Sequence, residues 1–396
     1  MNKRQGLPNG LDWGWIAWGV LALIITVLVA ASPTRHTVTD AYRGAAAAWM
    51  GQGDLYELGS VHGFLYLPQA AITFVPVLWL PRALGEIVWR LPWIALLAWS
   101  VWLLAARVET ASPRPRHLWP WFLCLTMALL PCTLSSARNG QTNLPFAAAL
   151  TWLGLALIDR RWTAALLLLL FLTVLKPIAA VPILLVGALY PAMRLRLFAG
   201  LAALLLAPFL DVHWGYVAHQ YALCWQKLAL AREPLTHDFC DFGGMMWTFL
   251  GHPLPQAAVQ AVAVVMALVV LGLCALALRV DPRFGPLWLT SLAAAYLMAF
   301  NPRTETNSYV ILGAAILPFL ADATAARRCG EAAVLAFGIV ALGSDSYGKP
   351  LHPWTHLWLK ALLALAFIAY LAFRLARRQP LFPSAAPADA PRPSGR

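Results

Sequence analysis

Apolar runs long enough to cross a lipid bilayer recur along nearly the whole of this 396-residue chain, and no other feature narrows its fold as sharply. A helix needs about 20 mostly apolar residues to cross a bilayer. Such runs lie at 13–31 and near 64–80, 86–106, 118–137, 142–158, 163–190, 197–211, 256–278, 286–300, 308–321, 331–344 and 356–373. They predict an all-α polytopic membrane protein, a bundle of about 12 transmembrane helices. Composition agrees: 61% hydrophobic and 12% charged residues leave too little polar cover for a soluble protein. A soluble enzyme, a disordered chain and a disulfide-stapled secreted module are excluded.

The net charge of +12 is not gathered into a nucleic-acid-binding stripe. Basic residues sit in small groups between the runs: Lys3 and Arg4, Arg194 and Arg196, Arg279 and Arg283, Arg327 and Arg328, then Arg374, Arg377 and Arg378. This is the positive-inside pattern of cytoplasmic loops, facing anionic membrane lipids. Both termini are expected inside, with 13–31 as an uncleaved anchor. A single domain over 1–375 and a disordered cytoplasmic tail over 376–396 follow. Two stretches resist a simple count. The loop 107–117 carries Arg107, Arg114, Arg116 and His117 yet falls outside, so either the charge rule is broken there or a neighbouring segment is re-entrant. The run 163–190 is too long for one straight helix and is broken by Lys176-Pro177, which predicts a kink or two half-helices. No internal repeat is visible. Cys224 and Cys240 share an expected outer loop, where a disulfide and free thiols both fit the spacing.

Polar residues single out one face. In the first outer loop, Val38, Tyr42, Ala45 and Trp49 recur at helical steps, predicting a short interfacial helix that starts at Asp40. A carboxylate there is explained by capping alone; function requires other polar groups to converge on it. The same expected outer face collects Asp54, Glu57, Asp211, Glu233, Asp238, Asp241, Glu305 and Asp345. His352 and His356 lie one helical turn apart without an acidic partner in metal-binding context, so no metal is expected. Within the apolar runs polar residues are costly and more telling. They are Lys176, the segment SARNGQTN with Arg138, Gln141 and Asn143, and the loop NPRTETN with Arg303, Glu305 and Asn307. Arg90 is expected to pair with Glu86, one turn away. The loop 212–253, with Trp214, Trp225 and Trp247, either shapes a substrate entrance or anchors the protein at the interface.

Taken in order, D-x-Y followed by small residues and Trp, then FLYLP, GQTN, the LKP break and NPRTETNSY resemble glycosyltransferase family 87. The resemblance runs from about residue 12 to about residue 375 and implies a C-type glycosyltransferase fold. The implied activity takes a sugar, mannose or another hexose or pentose, from a polyprenyl-phosphate donor to a lipid or glycan acceptor. Transfer would occur outside the cytoplasmic membrane, with neither metal nor cofactor. By position in the motifs Asp40 would be the catalytic base, with Tyr42, Tyr66, Arg138, Gln141, Asn143, Lys176, Arg303, Glu305 and Asn307 binding substrate. The chain departs from the family at Tyr66-Leu67-Pro68, where many members have two prolines. It departs again at Asn307 or Ser308, where mannosyl-transferring members often have histidine. Two other readings fit a chain of this class: a transporter or flippase, or a catalytically silent subunit of envelope assembly.

Overall fold

The computed structural model describes residues 12–112, 118–210, 213–231 and 237–383, and among these there is no strand. Arg114, Arg116, His117, Asp211 and Glu233, and the tail beyond Pro383, lie outside the described residues. The helices are α1 Trp13–Ala31, α2 Thr39–Met50, α3 Pro68–Ile72, α4 Val75–Leu78, α5 Arg82–Ala111, α6 Leu118–Asn139, α7 Asn143–Ile158, α8 Trp162–Leu175, α9 Ala180–Leu189 and α10 Pro191–Leu206. They continue as α11 Trp214–Leu230, α12 Phe242–Leu250, α13 Gln256–Val280, α14 Gly285–Phe300, α15 Val310–Ala325, α16 Cys329–Leu342, α17 Ser344–Tyr347, α18 His352–Thr355 and α19 Leu359–Ala376. Among the described residues, 7 helices are long and apolar enough to cross a membrane, joined by shorter apolar helices such as α7, α8, α14 and α16. The chain is a polytopic membrane protein. Its central helices α7, α14 and α15 are buried on nearly all sides, whereas α13 shows most of its surface outward, as a lipid-facing helix does.

Two segments differ from their sequence expectations, and each difference has a local cause. The run 64–80 does not cross. It folds into α3 and α4, helices of 5 and 4 residues, each with a proline in its first turn and far too short for a crossing at about 1.5 Å per residue. Both pack beside α2, where Tyr42, Ala71, Phe74 and Val77 share a small core with Trp89 of α5. The chain therefore enters α5 from the end of the bundle that carries α2. Arg107 comes to the opposite end, where it meets Asp159 at 2.7 Å. With one crossing fewer before it, Arg107 no longer falls at the same end as α2.

The run 163–190 is a hairpin. Lys176 is extended (φ −159°, ψ 137°) and a single 3-10 turn over Pro177–Ala179 follows it. Helix α9 then returns, so that Tyr190 packs against Trp162 with ring centroids 6.1 Å apart. Pro177 has no N–H to continue the α8 ladder, which is why the reversal falls there. The tip of the hairpin is tied to the start of α7 by Thr142 Oγ1, which donates to the Leu175 carbonyl at 3.1 Å.

At the opposite end the chain past α19, expected to be tail, folds back. The Leu381 and Phe382 amides donate to Asp281 (2.8 Å) and Asp322 (2.7 Å), and both side chains are buried. Asp322 also pairs with Arg374 at 2.9 Å and with Arg328. This clasp gives a first prediction. Leu381→Ala should cost about 2 kcal/mol in reversible unfolding in detergent, the low end for a buried leucine. Arg377→Gln, on the exposed side of the same segment, should stay within about 0.5 kcal/mol. Equal effects would mean the clasp carries no stability.

Candidate functional site

Three connections converge at the end of the bundle that holds α2: the turn from α6 to α7, the tip of the α8–α9 hairpin, and the segment 301–309 between α14 and α15. The first turn depends on Gly140, whose φ of +77° suits glycine. A Cβ there would lie 2.6 Å from Arg90 Nη2. Trp89 Nε1 donates to the Gly140 carbonyl at 2.8 Å, and the chain leaves the turn with Gln141 and Asn143 pointing into the convergence. Between these connections lies a cavity of about 380 Å³, lined by Tyr66, Gln141, Lys176, Arg303, Glu305 and Ser308 together with apolar residues such as Leu65, Ile178 and Leu228.

The polar side of the cavity is one hydrogen-bonded network. Lys176 Nζ donates to Asn143 Oδ1 at 2.5 Å. Asn143 Nδ2 donates to Gln141 Oε1 (2.8 Å) and Asn307 Oδ1 (3.2 Å). Gln141 Nε2 and Asn307 Nδ2 both donate to Glu305 Oε2, at 2.6 and 3.3 Å. The amides carry order from a cation to a carboxylate without neutralising either, which keeps both charges usable toward a ligand.

Arg303 is held differently. Its φ is +63°, a left-handed conformation that L residues adopt at a cost of about 1–3 kcal/mol. Its N–H donates to Asp241 Oδ2 at 2.8 Å, and Nη1 donates to the Val61 carbonyl at 2.5 Å. The guanidinium also lies over the Phe239 ring, 4.9 Å from its centroid. Burial lowers its pKa from the usual arginine value, against an opposing pull from Glu305. Burial raises the Asp241 carboxyl, opposed by backbone N–H donors that include Gly244 and Arg303. Arg303 also borders a second, larger space of about 770 Å³. This is an apolar groove between α12, the first half of α13 and the end of α14, lined by Phe242, Trp247, Val264, Leu268, Tyr296 and Phe300. The polar cavity and the apolar groove share Pro302 and Arg303.

The residues singled out in the sequence divide cleanly. Tyr66, Gln141, Asn143, Lys176, Arg303, Glu305 and Asn307 come together. Tyr42 stands behind them, its hydroxyl 2.8 Å from that of Tyr66. Arg138 does not line the cavity; its carbonyl accepts from Arg90. Nor is Asp40 on the wall: its side chain is 62% exposed and meets Arg82 at 2.6 Å. Arg90 pairs with Glu86 at 2.6 Å, as expected from their spacing. Trp247 borders the groove, whereas Trp214 and Trp225 are exposed on α11. Cys224 and Cys240 are both free thiols, and among the described residues no cluster of His, Cys, Asp or Glu suits a metal ion.

Two buried lysines escape the sequence reading. Lys227 donates to the carbonyls of Glu57, Ser60 and His62 at 2.5–2.6 Å, and Lys360 to Thr306 (3.0 Å) and Asp345 (2.7 Å). A usable signal exists for the first: Val217, Gln220, Leu223, Cys224 and Lys227 share one helical face, and all are buried.

The model of glycosyltransferase family 87 matches residues 64–302, more than half of the chain. No curated protein and no solved structure matches it.

Proposed function

The chain belongs to glycosyltransferase family 87, and on that premise we propose that it transfers a sugar from a polyprenyl-phosphate donor to a lipid or glycan acceptor, with inversion at the anomeric carbon. The observation that carries this reading is the junction at Arg303. A polar cavity lined by two cations, Lys176 and Arg303, shares its Pro302–Arg303 wall there with a larger apolar groove. An amphipathic donor needs that combination: a charged phosphate and a hydroxyl-rich sugar on one side, an isoprenoid chain on the other.

Lys176 and Arg303 meet the charge that builds on the phosphate as the glycosidic bond breaks, and the low dielectric of the site strengthens their effect. Gln141 presents its amide to sugar hydroxyls, with Asn143 and Asn307 bracing the wall from behind, and the isoprenoid lies along Trp247, Val264 and Leu268. Helix α13 turns its outer face to lipid, so the chain reaches the groove from the bilayer. Seven long and five shorter apolar helices serve as the crossing segments. The end bearing Arg107, Arg194, Arg196, Arg279, Arg283, Arg327 and Arg328 faces the cytoplasm. Both termini then lie inside, and the cavity opens on the outer face of the cytoplasmic membrane.

The test is donor affinity in nanodiscs, with farnesyl phosphate carrying mannose, glucose or arabinose as probes. Lys176→Met should weaken binding about tenfold or more, the scale of one charge-assisted contact. Arg303→Lys should weaken it comparably, because an ammonium cannot replace the guanidinium fork. If both variants bind every probe as tightly as the unmodified protein, this cavity is not the phosphate site.

A further inference from the structure

We propose that Lys227 is a positioning residue for donor binding: through the loop 57–62 it holds the Arg303 guanidinium in place, a role that rests on the phosphate-binding reading of Arg303 above. A guanidinium meets two phosphate oxygens at once only in one orientation, so that orientation has to be fixed before the donor arrives.

Lys227 is fully buried on the inner face of α11. An ammonium carries three N–H donors, and three backbone carbonyls accept from this one, those of Glu57 and Ser60 at 2.5 Å and of His62 at 2.6 Å. A buried charge is costly unless hydrogen bonds meet it, so the loop has to supply all three acceptors together. That requirement winds residues 57–62 around Nζ.

The carbonyl between the last two serves another donor. Val61 accepts from Arg303 Nη1 at 2.5 Å, and His62 Nδ1 lies 3.3 Å from Arg303 Nη2. Neighbouring carbonyls of one short loop thus bind the two cations in turn, 60 and 62 the ammonium and 61 the guanidinium. The other supports of Arg303 fix different things. Asp241 holds its backbone N–H, and the Phe239 ring meets the guanidinium on a face. Contact on a face leaves the fork free to turn in its own plane; the Val61 carbonyl and the His62 ring oppose that turn. Leu228 and Ala231, beside Lys227 in sequence, line the polar cavity, as do Leu65 and Tyr66 just past the loop. Slack at Lys227 is therefore felt at the cavity wall.

Gly63 offers a separate way to disturb the loop. Its φ of +104° is one that side chains rarely tolerate, while a Cβ there would meet nothing closer than Lys227 Nζ, at 3.9 Å. Gly63→Ala strains the loop backbone and leaves the lysine and its charge in place.

The experiment uses the full-length protein in nanodiscs with two probes: the farnesyl-phosphate sugar it binds best, and the matching farnesyl glycoside, which lacks the phosphate. Lys227→Met and Gly63→Ala should each bind the phosphate probe about fivefold to tenfold more weakly, approaching the loss in Arg303→Lys. Both should bind the glycoside within about twofold of the unmodified protein, whereas a fold that merely loosens loses both probes alike. Added to Arg303→Lys, Lys227→Met should weaken the phosphate probe by less than about twofold more, because two changes on one route do not add. Equal losses for the two probes, losses that multiply with Arg303→Lys, or either variant binding the phosphate probe normally overturn the positioning role alone. Gly63→Ala also separates position from charge, since only Lys227→Met removes a charge. Should Lys227→Met fail to fold, Gly63→Ala, alone and with Arg303→Lys, decides by the same criteria. An unmodified protein that binds no farnesyl-phosphate sugar, or Arg303→Lys that binds it normally, overturns the phosphate reading of Arg303, and the role of Lys227 with it.

Discussion

Arg90→Met should destabilise the protein by about 3–5 kcal/mol, the range for leaving one member of a buried ion pair alone. Arg90 and Glu86 are 2% and 0% exposed. The guanidinium donates to Glu86 Oε2 at 2.6 Å and to the Glu86 carbonyl at 3.0 Å. It also reaches Thr37 Oγ1 at 2.8 Å, the Arg138 carbonyl at 3.2 Å and the Asn139 carbonyl at 3.4 Å. One side chain thus joins α5 to the segment before α2 and to the end of α6. Methionine fills much of the same volume but satisfies none of these acceptors. Glu86 would keep only Arg82, at 3.1 Å, and the Thr37 and Thr39 hydroxyls. Arg90→Lys should recover only part of the loss, since one ammonium cannot reach acceptors on three segments. The double variant Arg90→Met/Glu86→Leu should cost less than Arg90→Met alone, because the uncompensated carboxylate goes with it. Reversible unfolding of these variants, of Glu86→Leu alone and of the unmodified protein decides the matter: a loss below about 1 kcal/mol for Arg90→Met, or simple additivity of the two single variants in the double one, would show that the pair is not what holds this junction.

That pair was legible in the sequence because its cause is local. Residues four apart on a helix must meet, and a charged residue inside an apolar run needs a partner. The long runs that became α1, α5, α13 and α19 were legible for the same kind of reason, since length and apolarity suffice for a crossing. The run 64–80 matched them in apolarity and failed in continuity. Pro68 and Pro76 each suit a first helical turn, so they start short helices where a crossing would need one long one. The break at Lys176-Pro177 was visible, but a kink and a hairpin have the same local signature. What separates them is the packing of Tyr190 on Trp162, residues 28 apart. The site follows this division. Its motifs stood out one by one, yet the bonds that make it a site join Gln141 to Glu305 and Asn143 to Asn307, each pair 164 residues apart. No spacing rule reaches that far. Asp40 shows the same limit: a carboxylate in the first loop acquires its partner, Arg82, only when α5 folds beside α2.

Gly244→Ala should be nearly as damaging, at about 3 kcal/mol, the upper end for forcing a methyl group into filled space, and it should also weaken donor binding. A Cβ at this position would sit 1.8 Å from the Phe239 carbonyl oxygen. That oxygen belongs to backbone, so no rotamer change relieves the clash; either the segment 239–241 moves or the first turn of α12 opens. Neither is free to do so. The Cys240 N–H donates to the Thr304 carbonyl at 2.9 Å, and the Cys240 carbonyl accepts from the Tyr309 hydroxyl at 2.5 Å. Asp241 caps α12 through the Gly244 N–H and holds the Arg303 N–H with its other oxygen. The left-handed backbone of Arg303 persists because these neighbours fix it. A displaced 239–241 segment therefore carries its disturbance straight to the guanidinium shared by cavity and groove. Gly272→Ala is the control, a position on α13 with nothing within 4 Å of the added carbon. It should be neutral or stabilise by up to about 1 kcal/mol through helix propensity. Unfolding and farnesyl-phosphate-sugar affinity, measured on the same preparations, separate the two effects. Gly244→Ala that loses stability but binds the probes normally would mean that α12 braces the fold without bracing Arg303.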